Sequence, residues 1–471
     1  MNRHHDTDSQ DGRKSPSLNF EEAFPYVDIS LEDGLEDTNG PPPYRSSSMR
    51  TLSHRSDSIV IDHESDRGAW LCVFGSFLFL FCSSGFSGSI GTIQSYFSAN
   101  QLKDFTNSQI NWILGVYLFL ACIPGFFYGY WLDRCGPRLL SAIGGVFSTA
   151  TFLILAQCKF YWEFIACFSV FGSIGACINY TVAVGVVGKL FVRQQGLAMG
   201  IAVLGASLGA TIFPLVLHSA FEKLGWVWTM RAVAIAMGSA TSVGFLCFLP
   251  FKRFVEGTVN YGLFGRPSPV FDLSAWRSDR FILVSCSIFL MEFVNYGIGG
   301  LLPAISRTVG FTDRDGYILL AVIGGASCVS RLIMGYSSDR LGGINTMIGT
   351  IVLMALLTSA IFFPFTTSGR SLLYTFAVFW GLLLGSFYTV APICVGKTCD
   401  AKDYARYYGS SNFLVGVALL IANPLSSLML EKAGAKPLAF LYLGVILAAI
   451  ISITVARGLL LGSFTTLRER I

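Results

Sequence analysis

Twelve long apolar runs constrain this chain more than any other feature. They fall at 69–93, 110–131, 139–157, 163–187, 195–219, 227–250, 280–304, 316–337, 343–364, 370–394, 406–430 and 437–460. At 1.5 Å per helical residue, each run is long enough to cross roughly 30 Å of hydrocarbon. Lipid satisfies no backbone N–H or C=O group, and the gaps between runs are short, so each run predicts a transmembrane helix. Composition agrees: 53% of the 471 residues are hydrophobic and 13% are charged, more apolar side chain than a soluble core of that length can hide. The expected class is an all-α membrane protein with twelve transmembrane helices.

The polar stretches divide the chain. Residues 1–66 are rich in Ser, Asp, Glu, Arg and Pro and predict a disordered tail rather than a signal peptide. Residues 67–250 form one six-helix half, 251–279 a central loop, 280–460 a second half, and 461–471 a short tail. Outside the long tail, one side of the membrane collects 17 Lys and Arg residues and the other 8. The positive-inside rule puts the richer side, with both termini and the central loop, in the cytosol. The plasma membrane is the expected location, with a vacuolar or other internal membrane as the alternative. The 12 cysteines show no metal spacing, and Cys158, near an outer loop, has no evident partner there, so reduced thiols are expected.

The halves repeat each other. "GYWLDRCG" at 129–136 recurs as "GYSSDRLG" at 335–342, and "YTVAVGVVGK" at 180–189 recurs as "YTVAPICVGK" at 388–397. Pro214 and Pro424 keep nearly the same offset. Duplication of this kind implies two pseudo-symmetric six-helix halves related by an axis along the membrane normal.

Gly129, Asp133, Arg134, Gly136 and Arg138 make G-x-x-x-D-R-x-G-x-R between the second and third spans. Glycine lets helices approach closely, and the charged residues can form an interface that exists in one conformation and breaks in another. Gly335, Asp339, Arg340 and Gly342 repeat the pattern, with Ile344 in place of its last Arg. On these residues the chain resembles the major facilitator superfamily. It is further similar to the fungal branch of the monocarboxylate porter family. That likeness rests on "RGAWLCVFGSFLFLF" in the first span, "QGLAMGIAVLGASLGATIFP" in the fifth, "WTMR" in the sixth, "SRLIMGYSSDR" ending the eighth, and "PICVGK" with "RYYGSSNFLVG" around the tenth and eleventh. The resemblance implies secondary transport by alternating access, moving a small organic anion or polar metabolite such as a monocarboxylate, often with a proton. It also implies an alternative, carriage of riboflavin or another larger fungal metabolite, inward or outward. Relatives that carry lactate-like acids have a Lys where Gly88 stands and an Asp where Ser327 stands; their Arg is retained as Arg331.

Ionisable residues within spans are costly and therefore candidates for function. Glu292 lies twelve residues into its span from Arg280, about 18 Å deep, and is the proton-coupling candidate or else a structural partner for another helix. Asn295 and Tyr296 follow it at i+3 and i+4. Arg331 can bind a substrate carboxylate, pair with Glu292, or stabilise a hinge. Arg231, near the outer face, reads as snorkelling. Asn179, Tyr180 and Tyr388, the two tyrosines being repeat-equivalent, either line a central cavity or pack helices.

In the tail, Pro41, Pro42 and Pro43 followed by Tyr44 suit the groove of a WW domain, as in docking sites for ubiquitin ligases; a chance match in a Pro-containing tail is the alternative. The expected partners are thus the lipid bilayer, a small-molecule substrate, a proton and a WW-domain ligase. A net charge of +4 does not suggest nucleic acid. A non-transporting nutrient receptor would need a signalling domain that the tails do not offer. No cofactor is expected, and an enzyme is not: His4, His5, His54, His63 and His218 do not cluster with carboxylates, and there is no Walker loop.

Overall fold

A computed structural model describes residues 64–251, 275–308, 313–362 and 370–461. All of them belong to the compact unit Thr51–Ile471; a second unit, Met1–Arg50, lies outside the described residues, as does the Pro41–Tyr44 motif.

The described residues contain eleven helices long and apolar enough to cross a membrane. One of them, Gln195–Cys247, has 53 residues, which as a straight helix would be about 80 Å long. Gly225, at φ 71° and ψ 179°, breaks it into two crossings. The twelve spans are therefore α1 (Arg67–Ala99), α2 (Trp112–Cys135), α3 (Pro137–Leu155), α4 (Tyr161–Leu190), α5 (195–224), α6 (226–247), α7 (Asp279–Thr308), α8 (Asp313–Leu341), α9 (Gly343–Ala360), α10 (Arg370–Gly396), α11 (Tyr404–Ala433) and α12 (Ala435–Leu461). Several run a few residues beyond the apolar segments that announced them. Hydropathy marks the hydrocarbon slab, whereas backbone hydrogen bonding carries a helix on into the interface.

Local chemistry sets the ends. The Asp66 side chain accepts from Gly68 N–H to start α1, and Thr106 with Gln109 forms a capping box before α2. Among the described residues, four glycines have positive φ: Gly136, Gly225, Gly342 and Gly434. They fall into two repeat-related pairs, the α2–α3 turn with the α8–α9 turn, and the α5–α6 turn with the α11–α12 turn. The same tight reversal is thus built twice by a residue without a Cβ. Large apolar side chains such as Val146, Leu215, Ile235 and Ile451 face outward, as expected where the solvent is lipid rather than water.

The halves meet along two pseudo-equivalent seams. In one, Gly125 and Gly129 of α2 lie against Gly409 and Ala405 of α11. In the other, Gly196 and Gly200 of α5 lie against Gly335 and Arg331 of α8. A Cβ at Gly129 would collide with the Ala405 carbonyl, and one at Gly196 with the Gly335 carbonyl. Both seams sit at the end of the bundle that carries the Asp-Arg turns, here the motif end.

One expectation changes. Cys158 does have a neighbour: its thiol lies within hydrogen-bonding reach of the Cys167 thiol, although both are free. The π-helical stretch of α4, Ile165–Gly172, places Cys167 there, and its Sγ reaches back 3.3 Å to the Thr151 carbonyl on α3. Arg231, expected to snorkel, lies over the exposed Trp228 ring at 4.9 Å.

Candidate functional site

At mid-depth the structure brings together residues from both halves. Glu292, 5% exposed on α7, accepts a hydrogen bond from the Tyr388 hydroxyl of α10 at 3.2 Å. The Arg331 guanidinium of α8 lies over the face of the same Tyr388 ring, 5.6 Å from its centroid. Arg331 and Glu292 are therefore joined through one tyrosine, the cation on its ring and the carboxyl group on its hydroxyl. Arg331 also donates through Nη1 to the Val203 carbonyl of α5 at 2.6 Å, crossing between the halves, while its Nε finds no partner among the described residues.

A second link between halves joins the Tyr180 hydroxyl of α4 to the Tyr408 hydroxyl of α11 at 2.8 Å. Tyr408 stacks on Tyr404, which is wedged against Gly188 of α4 and Gly396 of α10. Tyr296 and Cys122 lie within electrostatic range of Glu292. Neither amide atom of Asn295 has a partner among the described residues, although the side chain is 5% exposed. Ser327, where an Asp would suit a lactate-type carrier, shares a hydroxyl contact of 3.0 Å with Ser207 of α5.

Asn179 lies elsewhere. Its Nδ2 donates to Ser148 Oγ at 2.8 Å and to the Gly144 carbonyl at 3.4 Å, inside the α3–α4 seam of one half. Of the predicted central residues, the structure unites Glu292, Tyr296, Arg331, Tyr388 and Tyr180. It adds Tyr408, Val203 and Cys122, which were not named as site candidates, although Val203 and Tyr408 lie in the fifth- and eleventh-span motifs.

The motif end is closed by two carboxylates that each cap a helix of the opposite half. Asp133 accepts from the Arg406 N–H in the first turn of α11 at 2.8 Å, and its other oxygen pairs with Lys189 Nζ at 2.6 Å. Asp339 accepts from the Gly196 and Leu197 N–H groups in the first turn of α5 at 2.6 and 2.9 Å. A helix N-terminus carries unpaired N–H donors and partial positive charge, so a carboxylate there is doubly favoured. Each hydrogen bond to a charged group contributes about 1.5–3 kcal/mol. Within their own halves, Arg134 donates to Tyr130 Oη at 2.8 Å, Arg138 donates to the Leu249 carbonyl, and Arg340 lies over Tyr336.

Two six-helix halves, glycine seams at one end and a polar cluster between them are the architecture of a membrane transporter. The family model described as Major Facilitator Superfamily matches residues 72–423 and 286–465. The chain belongs to that superfamily and is an integral membrane protein. Its relatives include the riboflavin transporter MCH5 of Saccharomyces cerevisiae, 25% identical over 77% of this chain and 72% of the relative. The fujikurins efflux protein of Gibberella fujikuroi is 25% identical over 87% of each chain, and the agnestins efflux protein of Paecilomyces divaricatus 27% identical over 78% of this chain and 82% of its own. Among solved structures, the human organic anion transporter MFSD10 has the same fold at a TM-score of 0.63 and 16% identity, covering 82% of this chain and 99% of its own. The proton:xylose symporter XylE does so at 0.61 and 14%, covering 84% of this chain and 95% of its own.

Proposed function

We propose that this transporter carries a small organic anion or polar metabolite, a monocarboxylate being one such cargo, between its halves, with Arg331 as the anion-binding group and Glu292 as the proton carrier. The observation that carries this reading is the Glu292–Tyr388–Arg331 cluster, a carboxyl group and a guanidinium sharing one tyrosine at mid-membrane. A carboxyl group there can exist as acid or anion according to whether water or Arg331 is beside it. The Arg331–Val203 bond spans the halves, so an anion that drew the guanidinium away would also loosen their contact. Tyr180, Tyr296 and Asn295 supply further polar contacts. In a cycle built on these groups, substrate and proton load together, the halves rock, and both leave on the other side.

A second reading has an observation behind it. The tyrosines around the site offer flat surfaces for a planar ring system, and relatives at 25–27% identity are named for riboflavin transport and for metabolite efflux. On that reading the cargo is a larger metabolite and the direction can be outward. Lys and Arg bias supports cytosolic termini and, with them, a motif end on the cytosolic side; the location we propose is the plasma membrane. The Pro41–Tyr44 motif supports docking of a WW-domain ubiquitin ligase.

The test compares exchange with gradient-driven uptake, normalised to protein at the membrane. Glu292→Gln mimics the protonated form and should retain exchange while losing accumulation against a gradient. Arg331→Ala should weaken binding of an anionic substrate. Accumulation by Glu292→Gln at the wild-type level would end the proton-coupling role.

A further inference from the structure

The four-residue link between α4 and α5, residues 191–194, is flanked by both motif-end locks. On its α4 side, Lys189 grips Asp133, the carboxylate that caps α11. On its α5 side, Gly196 and Leu197 donate to Asp339. Between the two, a third carboxylate holds the link itself. Glu64, just before α1 and 4% exposed, accepts from three consecutive backbone N–H groups: Val192 at 2.6 Å and Arg193 at 2.7 Å through one oxygen, and Gln194 at 3.1 Å through the other. Glu64 is itself fixed. Its carbonyl accepts from Trp70 Nε1 at 3.0 Å, and the Trp70 ring meets Phe191 edge to face at 5.1 Å.

We propose that Glu64 is a positioning residue for closure at the motif end. By gripping the α4–α5 link, it holds Lys189 and the α5 N-terminus where Asp133 and Asp339 engage both at once. The alternatives for those three N–H groups are poorer. A link of four residues bound only to water has many conformations, and few of them present both flanks to the opposite half; ordering it beforehand removes that entropy from the closing step. Three N–H groups converging on one carboxylate also form hydrogen bonds of the stronger, charge-assisted kind. Glu64 and the link belong to the same half, so this grip can persist when the halves part. The locks are what opens, and Glu64 sets how readily they re-form.

The inference rests on the alternating-access reading, and the experiment separates the two. Cys122 lies near Glu292 at mid-depth, where a cycling carrier exposes it to each side in turn. The full-length chain with Cys122 as its sole cysteine is placed in sealed vesicles. Labelling by a membrane-impermeant maleimide is then timed from each side. Labelling of the parent from one side alone, with or without candidate substrates, would count against alternating access itself. Glu64→Ala should speed labelling from the motif end about ten-fold, the population shift expected when closure must itself order roughly one further residue of the link. Labelling from the opposite end should slow in the same protein. Glu64→Gln keeps the volume and one acceptor oxygen, guards against a failure of Glu64→Ala to fold, and should shift both rates in the same directions by less. Unchanged rates in folded variants would overturn the proposal. So would faster labelling from both ends, which is the mark of a merely loosened structure.

Discussion

Tyr388 carries two interactions on one side chain, and they can be separated. Its hydroxyl donates to Glu292 and its ring face meets Arg331. Tyr388→Phe removes the first and keeps the second, so it should impair gradient-driven uptake while leaving anion affinity within about two-fold, the scale of a surviving cation–π contact. Tyr388→Leu removes both and should weaken affinity as well. Parallel measurement of substrate affinity and pH-driven accumulation checks the pair; equal loss of affinity in both variants would show that the hydroxyl, not the ring, supports binding. At this scale the sequence was informative where chemistry is rare. A carboxylate and a guanidinium within apolar runs stand out because hydrocarbon excludes them, which is why Glu292 and Arg331 were legible. Asn179 had the same credentials on paper but turns its amide nitrogen to Ser148 and Gly144 within one half. Val203 could not have been found, because its contribution is a backbone carbonyl, and Glu64 could not, because its partners are backbone N–H groups.

Among the helices, the seams depend on residues that lack side chains. Gly129 and Gly196 face carbonyls of the opposite half at distances that leave no room for a Cβ. Gly129→Val or Gly196→Val should prevent closure at the motif end and lower transport at least about ten-fold, since overpacking of this kind costs about 1–3 kcal/mol. Gly349→Val is the control, because a Cβ there would meet nothing within 4 Å. Uptake normalised to protein at the membrane decides the matter; equal activity in all three would mean that the seams are not closed during the cycle. The repeat made Gly129 and Gly335 legible as a pair. Gly225 and Gly434 are paired just as well, but only their positive φ reveals it. The apolar runs mark twelve crossings yet place several helix ends short, since hydropathy reports the surrounding solvent and not the hydrogen-bonded backbone.

On the proposed reading, regulation and transport fall on separate parts of the chain. The Pro41–Tyr44 motif precedes the described residues, so Tyr44→Ala should lengthen the protein's residence in the membrane without altering substrate affinity. A chase of protein at the membrane alongside an affinity measurement tests this; an unchanged lifetime would make the motif a chance match. Within the bundle, the two Asp locks differ in kind. Asp133 holds a full positive charge and a helix end together, whereas Asp339 accepts from two backbone N–H groups, with Lys397 in electrostatic range. Salt reaches this pair poorly, because Lys189 and Asp133 are only 6% and 13% exposed and buried pairs are screened little. The asymmetry lies in Lys189 itself, which supports Asp133 from within its own half. Removing that charge would loosen the α2–α11 seam first and leave the α5–α8 seam as the pivot, giving a carrier of near-symmetric construction a lopsided way of coming apart.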